Sequence, residues 1–284
     1  MGKLKDQMEM DMKLRRFSPK TISCYLACMR NVAIHFGRSP AELSDEDIRR
    51  YLYHLMEEQK ASQSVISQSY SALKFFYEKT IQRPWNLLKI PRSKQRKKLP
   101  VVLSKLEVES IFSVTTNLKH CAILMTIYAA GLRVGEATRL KVSDIDSGRM
   151  TIRVNEGKGL KDRYTLLGER NLNMLRLYYK AYRPSEWLFP GRSPSEPVSI
   201  SAVQRVFKAS VHKAGIRKKA SVHTLRHCFA THLLESGTDL YYIQRFLGHG
   251  SARTTSVYLH ITGKDLSKIR SPIDLLGDDQ KPTP

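Results

Sequence analysis

Apolar residues recur every three or four positions through the first eighty residues, a period that lines one face of a helix. Leu4, Met8 and Met12 predict an opening helix. Ser18-Pro19 supplies an N-cap and a first-turn proline. The stripe of Ile22, Tyr25, Leu26, Met29, Val32, Ala33 and Phe36 then runs to a stop at Gly37. Ser44 heads a third helix bearing Ile48, Tyr51, Leu52 and Leu55. A fourth, from about residue 64, carries Val65, Ile66, Tyr70, Leu73, Phe76 and Tyr77. These stripes describe a core and say nothing of function. They predict a small all-helical domain over residues 1–90.

The pattern changes after residue 102. Ser104-x-x-Glu107 is a capping box ahead of Val108, Ile111 and Phe112. A strongly apolar helix from Cys121 to Ala130 ends at Gly131. Met150 to Val154 alternates like a strand, and Arg163 to Leu167 reads as its partner across a glycine-containing turn. Helical spacing returns at 172–182 and 199–214, and again in a helix running to Glu235; Arg192 to Pro197 is a loop. The second domain, 103–276, is therefore mostly α with a small antiparallel β-sheet. Residues 277–284 form a polar tail expected to lack order.

Charge adds what periodicity cannot. Lys and Arg number 48 against 26 Asp and Glu, a net +22 over 284 residues, which points to a polyanionic partner, nucleic acid first. Arg92, Lys94, Arg96, Lys97 and Lys98 crowd a proline-bracketed stretch, so residues 91–102 read as a basic linker able to follow a phosphate backbone. Arg15, Arg16, Lys20, Arg30, Arg49, Arg50, Lys60 and Lys74 lie off the apolar stripes of the first domain. They are either a solvated surface or a DNA-facing one. No apolar run reaches the roughly 20 residues that span a bilayer, and the first residues lack a signal-peptide core. A cytoplasmic protein without membrane contact is expected. Cys24, Cys28, Cys121 and Cys228 are too few and scattered for a disulfide framework and read as buried or half-buried thiols.

Candidate chemistry is concentrated between Ser221 and His260. His223 and Arg226 form a His-x-x-Arg pair; Leu247-Gly248-His249 follows, and Tyr258 lies nine residues beyond that histidine. A phenol, with a free pKa of about 10, is a poor nucleophile until fixed cations hold and neutralise the phosphate it attacks. The planar fork of arginine suits that task. Each residue also has a structural reading. Arg133 can be a surface arginine paired with Glu136, Lys158 a solvated turn lysine, and His249 a capping histidine. His227 and His232 read as packing or surface residues, and Tyr241 and Tyr242 as buried beside Ile243 and Phe246. Asp144, Asp146 and Asp162 are scattered and show no metal-binding signature. No metal and no cofactor are expected.

The gapped pattern resembles the tyrosine recombinases, the phage integrase family. Gly131-Leu132-Arg133-x-Gly135-Glu136 resembles the block carrying that family's first catalytic arginine. The resemblance extends over about residues 3 to 276. It implies a four-helix SAM-like core-binding domain followed by an α+β catalytic domain. It further implies catalysis by Arg133, Lys158, His223, Arg226, His249 and Tyr258, with Glu136 holding the arginine. Lys158 would protonate the departing 5′ oxygen (Lys161 is its rival), His223 would assist the tyrosine proton, and His249 would donate to a phosphate oxygen. DNA contact at Lys20 and the basic linker is expected on the same ground.

The expected function is site-specific recombination of double-stranded DNA through a 3′-phosphotyrosine, without metal or ATP. A homotetramer on paired sites is expected, with a regulatory protein partner left open. The alternatives are a type IB relaxing enzyme and a non-catalytic DNA-binding protein. The compact chain resembles Xer-type or mobile-element members more than integron integrases. A hydrophobic segment beyond Lys264 would pack on its own domain or dock on a neighbouring copy.

Overall fold

The computed structural model describes residues 2–86, 90, 99–155, 162–249 and 251–260. The basic linker residues Arg92, Lys94, Arg96, Lys97 and Lys98, the turn lysines Lys158 and Lys161, and the chain beyond 260 lie outside these. The chain divides into two compact units, Met1–Lys97 and Lys98–Pro284.

Among its described residues the first unit has four α-helices, α1 (Gly2–Leu14), α2 (Pro19–Phe36), α3 (Asp45–Glu57) and α4 (Gln63–Phe75), the last running into a π-turn at Phe76–Thr80. Serines start three of them. Ser18 accepts from the Thr21 amide at 3.2 Å. Ser44 shares a reciprocal capping box with Asp47, and Ser62 caps α4. The core gathers Met8, Met12, Ile22, Met29, Val32, Ile48, Leu52, Leu73 and Tyr77. Val65, expected on the apolar stripe, is exposed. Adjacent helical positions diverge by about 100°, and Ile66 takes the inward one.

The second unit is built around α6 (Leu118–Ala129), whose residues from Cys121 to Ile127 are all buried. A helix apolar all round must be enclosed. Here α5 (Lys105–Val114), α8 (Glu169–Tyr182), α9 (Ile200–Lys213) and α10 (Val222–Glu235) pack around it. Phe189, Phe207 and Tyr178 complete the core, the two phenylalanines each contributing about 1.5–3 kcal/mol of apolar burial. The short helix α7 (Val134–Thr138) precedes a three-stranded antiparallel sheet of β1 (Ile145–Asp146), β2 (Thr151–Val154) and β3 (Arg163–Leu166). The β2–β3 register pairs Ile152 with Thr165 and Val154 with Arg163, and the two-residue β1 extends the expected hairpin. Helices α11 (Leu240–Leu247) and α12 (Ala252–Thr255) and a 3₁₀ turn at Ser256–His260 follow α10. Strand β3 packs against α11, which brings Arg163 beside the loop that follows that helix.

Candidate active site

Backbone geometry at the end of α6 begins the site. Gly131 adopts φ +60°, and a Cβ there would collide with the Phe229 ring. Only glycine permits both the left-handed turn and the close approach of α10. Its carbonyl accepts from Arg226 Nη1 at 2.6 Å.

Glu136, 5% exposed, organises the cations. Arg133 donates to it twice, from its backbone amide at 2.8 Å and from Nη1 at 2.7 Å. Arg163 grips it with both terminal nitrogens at 3.0 and 2.8 Å, and Arg226 Nη1 stands 3.7 Å away. Burial alone would raise the Glu136 pKa. The hydrogen bonds and charge of Arg163, with those of Arg133, instead hold it at about 2.

The C-terminal end of α11 is tied to the same cluster. Arg163 Nε donates to the Phe246 carbonyl at 2.8 Å and Arg226 Nη2 to the Leu247 carbonyl at 2.6 Å. These carbonyls lack helical partners and carry the negative end of the helix dipole, so cations satisfy them well. Arg226 is 1% exposed. Burial, then the nearby charge of Arg133, lowers its pKa to about 9, which still leaves it charged at neutral pH.

His223 lies in the first turn of α10 with its ring partly open to solvent; partial burial and the Arg226 and Arg133 charges lower its pKa. His249 follows the left-handed Gly248, and its Nδ1 is within 2.9 Å of the buried Thr255 hydroxyl. Burial and the surrounding arginines push it down to about 4, so the ring is neutral near pH 7. Tyr258 is 3% exposed, in an apolar cluster with Phe229, Ala230, Leu234, Ile243 and Leu247. Burial raises its pKa, against the pull of Arg226 and Arg133.

The structure thus gathers Arg133, Glu136, Arg226, His249 and Tyr258, with His223 at the rim. Lys20 is exposed in the first turn of α2, in the other unit. Several of the cations expected on that unit's polar faces are in local ion pairs, among them Arg49 with Glu46 at 3.3 Å and Lys74 with Glu78 at 3.6 Å. Cys24 and Cys28 are half-buried and Cys121 and Cys228 buried, all as free thiols.

Two expectations about the site need correction. His227, expected to be a packing or surface residue, has its Nδ1 3.0 Å from the Tyr258 hydroxyl. Its i,i+4 relation to His223 places both rings on one helical face, and that spacing could have revealed it. The other histidine, His232, is a packing residue, buried between the Tyr128 hydroxyl at 2.9 Å and the Leu103 carbonyl at 3.0 Å. Tyr241 and Tyr242, expected to be buried, are 60% and 54% exposed because Ile243 and Leu247 take the inward face of α11. Arg163 was not foreseen at all: a lone arginine at a strand start carries no sequence signal for a partner 27 residues away.

Comparison with known proteins agrees along nearly the whole length. The phage integrase family profile matches residues 101–264, and the profile of the phage integrase N-terminal SAM-like domain matches residues 4–87. A protein of Sinorhizobium fredii named as an integrase/recombinase, y4qK, is 43% identical over 97% of this chain and 90% of its own. The tyrosine recombinase XerC of Halalkalibacterium halodurans is 32% identical over 87% of this chain and 89% of its own. The crystal structure of the XerH site-specific recombinase bound to a palindromic difH substrate superposes with a TM-score of 0.74 at 20% identity, covering 90% of this chain and 81% of that one.

Proposed function

Because the chain belongs to the phage integrase family of tyrosine recombinases, we propose that Tyr258 is the nucleophile with which it cuts DNA. The protein is a tyrosine-type site-specific DNA recombinase, and the relaxing-enzyme and non-catalytic alternatives are not favoured. In this reading the phenol oxygen bonds to phosphorus as the P–O5′ bond breaks, giving a 3′-phosphotyrosine and a free 5′ hydroxyl. Arg133 and Arg226 offset the charge on the non-bridging oxygens, and His249 donates from Nε2, its Nδ1 being engaged by Thr255. Lys158 delivers the proton that the departing 5′ oxygen takes up. A 5′ hydroxyl from a partner duplex then displaces Tyr258, so phosphodiester energy is conserved and neither ATP nor a metal enters a step. Four copies on two paired sites carry the exchange through a four-way junction. Lys20 and the basic linker lie along the DNA backbone.

One observation supports the reading above the rest: a tyrosine hydroxyl touching an imidazole beside three guanidinium groups fixed by one carboxylate. Tyr258 is 3% and Arg226 1% exposed, so a phosphate reaches them only once the side chains covering them move. The test incubates the full chain with a nicked suicide-duplex library of randomised core sequence and captures protein covalently bound to DNA. An adduct with the wild type and none with Tyr258→Phe is expected. An adduct that persists in Tyr258→Phe overturns the assignment.

A further inference from the structure

Among the described residues the Tyr258 hydroxyl meets His227, which sits one helical turn past His223 on α10. Nδ1 of His227 is 3.0 Å from the phenol oxygen, and the two rings are 5.8 Å apart between centroids. His223 stacks edge-on against His227 at 4.7 Å and 84°, one ring further from the phenol and toward solvent. We propose that His227 is a catalytic residue that receives the Tyr258 proton as the tyrosine–phosphorus bond forms, and returns it when the strand is rejoined.

The inference rests on Tyr258 being the nucleophile. In the forward step the phenol O–H breaks, Nδ1–H forms on His227, and the tyrosine oxygen bonds to phosphorus. The P–O5′ bond breaks, and the departing oxygen takes its proton from Lys158. Before DNA binds, His227 must present an unprotonated Nδ1. Burial, then the charges of His223 and Arg226, lowers its pKa to about 4, so that form dominates near neutrality. Among the described residues the charged and titratable groups around it are His223 and Arg226 on α10 and Tyr258 on the 3₁₀ turn, with Arg133, Arg163 and Glu136 gathered behind Arg226. In the resting site a proton on His227 is disfavoured first by burial and then by the charges of His223 and Arg226. An incoming phosphodiester anion offsets the charge of Arg133 and Arg226, so the imidazole becomes more basic just where the phenol must lose its proton. The contact therefore primes deprotonation only in the DNA complex.

The test is single-turnover adduct formation on the captured suicide duplex between pH 5.5 and 9.5, for wild type, His227→Ala, His227→Asn and His223→Ala. His227→Ala slows cleavage by about a hundredfold to ten-thousandfold, the range for loss of a general base. Its rate climbs close to tenfold per pH unit as hydroxide takes over, and added imidazole restores it. In His227→Asn an amide oxygen can hold the phenol in place but takes no proton, so the same loss follows with DNA binding and melting temperature near wild type. His223→Ala shows neither the steep pH dependence nor the imidazole rescue. If His227→Ala or His227→Asn cleaves within threefold of wild type or faster, the contact only parks the phenol and the proposal falls. Loss without pH gain and without rescue also overturns it, as does imidazole rescue of His223→Ala instead. An adduct persisting in Tyr258→Phe marks the separate failure of the nucleophile.

Discussion

Replacing Glu136 with glutamine removes one negative charge from the centre of three guanidinium groups while nearly preserving volume. The carboxylate accepts four hydrogen bonds from Arg133 and Arg163 and stands 3.7 Å from Arg226. Its pKa of about 2, against 4.5 for an unperturbed glutamate, corresponds to about 3 kcal/mol of stability at neutral pH at 1.36 kcal/mol per unit. Breaking a buried ion pair from one side costs about 3–5 kcal/mol, the same size. The sign follows from the depressed carboxyl. Its contribution is fully present above pH 4.5 and is lost as the pH falls through 2. Urea unfolding of wild type and Glu136→Gln, repeated from pH 7 down to pH 2.5, reads the difference between them, and the other carboxylates cancel in the subtraction. The expected gap is about 3 kcal/mol at pH 7, shrinking steadily below pH 4.5. A gap under about 1 kcal/mol, or one that stays constant down to pH 2.5, refutes the view that this carboxylate anchors the cations.

Gly131→Ala forces an L-residue into φ +60° and drives its methyl into Phe229; a loss of about 2–4 kcal/mol in chemical denaturation follows from backbone strain plus overpacking. Gly248→Ala, at φ +61°, places its methyl 2.7 Å from Arg163 Cδ, so adduct formation should fall more than stability does, as Arg163 is levered off Glu136. His249 has a pKa of about 4, below the 6.5 of a free imidazole. Between those values the unfolded chain binds the proton first, so stability falls as pH drops from 6.5 to 4. His249→Gln should reduce, without abolishing, that slope in urea midpoints taken at pH 7 and 4.5, since His227 titrates over the same window. Lys158→Ala should slow cleavage of an ordinary duplex yet recover on one with a 5′-thiol leaving group, which needs no proton; absence of recovery moves the acid to Lys161.

The elements of this protein were legible because their signals are local. The Ser104–Glu107 box and the Ser18-Pro19 start act within one helical turn, and the bonds they predict are present. Alternation between 150 and 167 marked two strands, whose pairing across the sheet follows from a short connection. Tyr241 and Tyr242 show the limit of such reasoning. Proximity to Ile243 suggested burial, whereas the helical period turns them outward.

By itself the sequence determined which chemistry is on hand: two arginines, histidines and a tyrosine in a gapped order, on a chain of net charge +22. Tertiary structure alone decided how those groups act on one another. Arg163 reaches Glu136 across 27 residues, His227 meets Tyr258 across 31, and Arg226 meets the Gly131 carbonyl across 95. Spacing along one helix can mark a face, as the i,i+4 step from His223 to His227 does, but the partner met across such separations is set by how helices and strands pack once burial has chosen their faces.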